Sequence, residues 1–265
     1  MNSPPRIRYL HMGFSPGTQL PSVTELWTRL RTSFHRLPRV VQVILGLQVA
    51  AYLLILVAGT SDFGIRLTGV IGLTPELFFK GWVWQGFTYG FFHLRQDLFP
   101  FLVDIALVWS LGGLFAGRWR STHFLFFYLV SGLVGAVLHS ALAIPFPGQF
   151  AHPVMGAAGS VYALLVAYRL VFGEQLVTMF GGNPFKGKWL FYALVGLSVL
   201  FFLFGVNRNF AVEMGGVLAG WLMVTGRWRP NKMNNWVRTL QRGKGPYSRK
   251  ASRRDFHVVD GGRKN

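Results

Sequence analysis

Long apolar runs separated by short polar ones set the pattern of the chain. Six stretches, residues 40–59, 98–117, 124–144, 154–172, 189–206 and 210–226, are each apolar over most of their length. A helix rises 1.5 Å per residue, so about 20 such residues cross a hydrocarbon core of roughly 30 Å. The pattern predicts an all-α, polytopic membrane protein with six transmembrane helices. Residues 60–97 are too long for a plain turn, and their uncharged aromatic run at 81–92 is too short to span, so they predict a structure lying in the membrane interface between the first two helices. Ahead of the first span, Ser22 and Glu25 have capping-box spacing, and Trp27, Leu30 and Phe34 share a helical face opposite Arg29, Arg31 and Arg36. That predicts an amphipathic helix on the inner membrane surface. The domain division follows: a basic cytoplasmic arm at 1–39, a membrane domain at 40–226 and a basic cytoplasmic tail at 227–265.

Composition agrees. Charged residues make up only 14% of the chain and mean hydropathy is +0.37, whereas soluble domains carry roughly 25% charged residues. The absence of cysteine excludes a disulfide scaffold, a thiolate metal site and a thiol nucleophile. Histidine spacing gives no sign of converging metal ligands, so neither a metal nor another cofactor is expected.

The net charge of +18 looks at first like a nucleic-acid footprint, but it sits at the ends: six Lys and Arg precede residue 40 and twelve follow residue 226. With both termini inside, the inner segments hold 23 of them and the outer segments four, Arg66, Lys80, Arg95 and Arg208. This is the positive-inside bias of an even-numbered bundle. The expected partner of the basic ends is therefore anionic lipid at the cytoplasmic face rather than nucleic acid. The compact form and charge asymmetry lead to an expected place in a bacterial inner membrane.

Two features of the spans bear on chemistry. Small residues concentrate at Gly112-Gly113, Gly132, Gly135, Gly156–Gly159, Gly215-Gly216 and Gly220, as close helix crossings in lipid require. Two spans also carry one acid each, Asp104 and Glu213, which must be protonated, paired or wetted at such depth. Asp104, Ala158 and Glu213 all fall near the outer ends of even-numbered spans, predicting a cavity that opens outward.

The same residues resemble the rhomboid intramembrane serine proteases over about residues 80–226. Trp84 to His93 is similar to the family's W-R-x-x-T-x-x-F-x-H block. Leu111-Gly112 followed by residues 124–132 resembles its second-to-third helix region. Gly156, Ala157, Ala158 and Gly159 stand where the family has G-x-S-G, and Glu213 with Gly216 and Gly220 stands where it has H-x-x-G-x-x-x-G. The resemblance implies a six-helix rhomboid-like bundle in which Trp84, His93, Gly112, Gly159, Gly216 and Gly220 are structural.

It also implies that the catalytic groups are missing. Rhomboid proteolysis uses a serine nucleophile on the fourth helix, a histidine base on the sixth, and oxyanion-binding histidine and asparagine on the second. Here Ala158 occupies the nucleophile slot, Glu213 the base slot, and Pro100 and Asp104 the oxyanion slots. Alanine offers no attacking atom. Ser160 points away from that slot, and is expected to be a hydroxyl bonded within the bundle. The expected function is thus that of a rhomboid-like pseudoprotease: a membrane protein that binds transmembrane segments of clients and influences their fate, through a cavity including Asp104, Gly156, Ala158 and Glu213. The alternatives are an active rhomboid-family peptidase with non-standard residues and a proton-coupled transporter.

Overall fold

The computed structural model describes residues 10–12, 22–59, 61–179 and 185–226. The tail from 227 onward, with its basic residues, lies outside the described residues, as do the side chains of Glu25, Trp27, Arg29 and Leu30.

Helices stand at all six apolar stretches. After strand β1 (Leu10–Met12) and helix α1 (Val23–His35) comes α2 (Arg39–Ala58). The segment that follows contains α3 (Asp62–Ile71), α4 (Pro75–Phe79) and α5 (Gln85–Thr88), the last continued by a 3-10 turn at Tyr89–Phe91. The second apolar stretch is α6 (Leu98–Leu107), a π-helical turn at Val108–Gly112 and α7 (Gly113–Ala116). Then come α8 (Ser121–Ala143), the short α9 (Pro147–Phe150), α10 (Ala158–Phe172), strands β2 (Leu176–Met179) and β3 (Phe185–Lys186), α11 (Lys188–Leu203) and α12 (Phe210–Thr225). Three helical stretches, Arg39–Ala58, Leu98–Ala116 and Ser121–Ala143, are long and apolar enough to cross a membrane by themselves; α10, α11 and α12 are apolar but shorter. Large apolar side chains point outward on these helices, among them Val57, Phe99, Phe126 and Leu203, the surface expected of a protein solvated by lipid.

Strands were not expected. β1 pairs in parallel with β2, and β2 in antiparallel with β3, forming a three-stranded sheet beside the α10–α11 connection. The connection is also held by Glu174, whose carboxylate reaches Lys188 Nζ at 2.8 Å and Lys186 Nζ at 3.2 Å. These two ammonium groups, Lys188 first, hold the Glu174 carboxyl below its ordinary range.

The segment between α2 and α6 is anchored rather than loose. Gln85, fully buried, accepts from Thr74 N at 3.1 Å and donates to Gly69 O at 3.0 Å. Trp84 Nε1 donates to Val70 O at 3.1 Å, and Thr88 Oγ1 to Ile71 O at 2.7 Å. Leu73 and Val154 exchange backbone hydrogen bonds of 3.0 Å, tying the segment to the start of α10. The side chains between Phe79 and Phe87 that remain exposed include Phe79, Val83 and Trp84, suited to the headgroup boundary.

In the core, Val41, Ile44 and Leu45 of α2 meet Phe115 of α7, Phe124 and Tyr128 of α8 and Leu164 and Leu165 of α10. The tightest packing runs through glycine. A Cβ on Gly216 would lie 1.9 Å from Gly159 O, one on Gly215 2.6 Å from Gly135 Cα, and one on Gly220 2.8 Å from Ala163 Cα. These approaches join α12 to both α10 and α8, with backbone rather than a movable side chain on the far side.

Gly216→Val should therefore cost about 1–3 kcal/mol by forcing the two backbones apart. By contrast, Gly196→Ala on exposed α11, where a Cβ would meet nothing within 4 Å, should be neutral or stabilising by up to about 1 kcal/mol. Unfolding of the purified chain in detergent, followed by tryptophan fluorescence, separates the two.

Candidate functional site

The two intramembrane acids are both buried, each 8% exposed, and each is satisfied by its own set of partners. Asp104 lies on α6. Its Oδ2 is 3.0 Å from His93 Nε2 and accepts from Ala157 N at 2.9 Å. A carboxylate only accepts, so Nε2 carries the hydrogen in this contact. His93 packs edge-on against Phe101, which in turn stacks on Tyr52 of α2. Nδ1 of His93 is buried with no hydrogen-bond partner among the described residues.

The chain just ahead of α10 takes the shape this contact requires. Gly156 has φ +124°, a conformation that disfavours any side chain, and a Cβ there would stand 3.4 Å from His93 Nε2. Its N–H donates to Tyr89 O at 3.0 Å, and the Tyr89 hydroxyl donates to Gly132 O at 2.7 Å. Asp104 therefore receives one of the free N–H groups at the start of α10, where a negative group is electrostatically favoured.

Glu213 lies in the first turn of α12. Its Oε2 accepts from the Ser198 hydroxyl of α11 and from Asn207 Nδ2 at 2.8 Å. Asn207 also donates to Ser198 Oγ at 3.1 Å, and its Oδ1 accepts from Asn209 N at 3.0 Å, which shapes the turn into α12. Ser198 is the one fully buried residue of α11, and beside it Leu190, Phe191 and Leu194 pack half-buried against the core. No hydrogen bond joins Asp104 to Glu213 among the described residues. The two carboxyl groups are held by separate partners rather than by each other.

Ala158 begins α10 and is 8% exposed. Its neighbour Gly159 would meet Val212 Cγ1 at 3.2 Å with an added Cβ, which brings the starts of α10 and α12 together. Ser160 Oγ donates to Tyr128 O at 2.6 Å inside the bundle. Pro100, in the first turn of α6, is exposed and is not brought to this cluster. Trp84 and His93 occur in the anchored segment and the Asp104 contact respectively, and Gly112 closes the π-helical turn. His139 is fully buried, with Nε2 3.3 Å from His152 O and its ring edge-on to Phe150.

Asp104 on α6, Gly156 and Ala158 at the start of α10 and Glu213 in the first turn of α12 are all four buried. Ser198, Asn207 and Gln85 were missed by sequence reasoning. A lone serine in an otherwise apolar span was the available sign for Ser198.

The fold and these polar contacts define a multi-pass helical membrane protein. Residues 42–224, well over half of the chain, match the family described as eukaryotic integral membrane protein (DUF1751), and the chain belongs to that family. No curated protein is significantly similar in sequence. Membership of a family described as eukaryotic goes against the bacterial inner membrane expected from charge asymmetry; that asymmetry reports sidedness, not the kind of cell.

Replacing Asp104 by alanine strands both His93 Nε2 and Ala157 N–H in a dry interior and should cost about 2 kcal/mol or more. Asp104→Asn keeps an accepting oxygen and should cost clearly less. Denaturant unfolding of both variants checks the order, and equal losses would show that the acceptor is not what matters.

Proposed function

We propose that this protein is a rhomboid-like pseudoprotease: a six-span membrane protein with both termini in the cytoplasm that binds transmembrane segments of client proteins and influences their fate. The observation that carries the reading is the site itself. The position corresponding to a rhomboid nucleophile is Ala158, and the two acids near it are engaged in hydrogen bonds that hold helices in place. Support for the topology comes from β1, whose pairing with β2 sets the N-terminal arm beside the α10–α11 connection. In an alternating six-helix bundle those two segments fall on the same side.

Client access requires a route through the helices, and α11 is the natural one. Ser198 is its one fully buried residue. Outward movement of α11 breaks the Ser198–Glu213 contact and leaves a carboxylate and the Asn207 amide facing the gap. A client helix that is polar or unstable in lipid satisfies its own exposed groups there, where an apolar helix gains nothing.

One observation favours a second reading, an active peptidase with non-standard residues: Ser198 donates its hydroxyl to Glu213, pairing a hydroxyl with a base. Against it, the same carboxylate is held by Asn207, and Ser198 is only 4% exposed.

Photocrosslinking from position 158 in native membranes distinguishes them. Because position 158 is buried, a second probe at Phe201, 43% exposed on α11, guards against misfolding. Client binding predicts adducts with intact membrane proteins from both positions; adducts with lipid alone from both would overturn it.

A further inference from the structure

The amphipathic helix α1 carries a feature that the client-binding reading does not use and does not depend on. Its C-terminal end is fastened to the bundle. Gln42 Nε2 donates to Leu37 O at 2.8 Å and to Phe34 O at 3.2 Å, clasping the carbonyls where α1 ends. The Phe34 ring stands 5.6 Å from that of Trp109, in the π-helical turn. Leu37 Cδ2 fits against Gly113, where an added Cβ would come within 2.7 Å of it. The exposed flank of α1 is therefore held in a fixed place at the end of the bundle.

On that flank lies a surface cavity of about 470 Å³ lined by Thr28, Arg31, Thr32, His35 and Arg36. These positions recur at helical spacing, so their side chains form one stripe. Arg31 and Arg36 are exposed and take part in no ion pair among the described residues. The two threonine hydroxyls donate to backbone carbonyls one turn earlier, Thr28 Oγ1 to Thr24 O and Thr32 Oγ1 to Thr28 O, both at 2.8 Å. Their oxygens are left with lone pairs able to accept.

We infer that this cavity is a binding site for the phosphate of an anionic phospholipid headgroup. Two guanidinium groups present planar, multidentate donors that match phosphate oxygens better than ammonium groups do. The threonine oxygens accept from hydroxyls carried next to the phosphate, which points to a hydroxylated headgroup of the glycerol or inositol type. Sequence alone places positive charge at this end of the chain; the structure narrows it to a single stripe whose position is fixed by Gln42 and Phe34.

The test uses the full purified chain in neutral detergent micelles. Energy transfer from its tryptophans to acyl-labelled phosphatidylinositol reads binding, and inorganic phosphate is added as competitor. Arg31→Gln with Arg36→Gln should weaken lipid binding roughly tenfold or more, given about 1 kcal/mol for each basic residue at an anionic surface. The same charge removed from the tail, Arg253→Gln with Arg254→Gln, should weaken it clearly less, by general charge alone. Arg31 and Arg36 are exposed, and an unchanged unfolding midpoint without lipid confirms that each variant is folded. Millimolar inorganic phosphate that fails to displace the lipid supports the headgroup as ligand. Full displacement would overturn the lipid assignment in favour of free phosphate. Equal weakening by the tail variant, or none by the α1 variant, would overturn the site.

Discussion

The approach of α12 to α10 at Gly216 and Gly159 is the contact on which the other features depend. Backbone meets backbone there, with no room for even one methyl group. In lipid, helices gain little from hydrophobic burial, and close packing supplies the attraction instead. Because Gly215 meets Gly135 and Gly220 meets Ala163 on the same helix, α12 is fixed in rotation as well as in distance. Fixing α12 also fixes Glu213 and the turn through Asn207 and Asn209, while fixing α10 sets Ala157 opposite Asp104.

The two acids show how a bundle accommodates polar groups at depth. Each gathers donors from more than one element: Asp104 from His93 and the start of α10, Glu213 from α11 and the α11–α12 turn. Leaving any of these groups unmade in hydrocarbon would cost more than a typical exposed hydrogen bond returns. The two contacts tie different parts of the bundle. Asp104 links the start of α10 to α6 and the segment ahead of it, whereas Glu213 holds α11, a helix with one fully buried residue.

Much of this was legible in the sequence, and the missing parts have physical reasons. Apolar length located the six helices, and glycine spacing located the crossings, because both depend on composition within a single segment. Gly226 even marked the end of α12, where it adopts φ 69° and closes the helix in a left-handed turn. Contacts between segments were less legible. Nothing local in Gln85 shows that its amide pins two turns of the interfacial segment, and Asn207 reads as a turn residue until Glu213 is set beside it. The second span was the hardest. Its π-helical turn at Val108–Gly112 rotates residues ahead of it by about 100° relative to a straight helix. Counting back from Gly112 therefore does not reveal which residues face inward: Asp104 does, and Pro100 is exposed. The small sheet escaped because β1 and its partner β2 are far apart in the chain and only a few residues long.

The central claim is that the polar groups near Ala158 hold helices and recognise clients without cutting them. Its most direct test is to incubate the purified full chain with a single-span substrate carrying a polar, glycine-rich segment, across pH 4 to 8, and to follow product by mass spectrometry. The account predicts intact substrate at every pH. A time-dependent product that disappears in Glu213→Gln and Ser198→Ala variants of unchanged fold would contradict it.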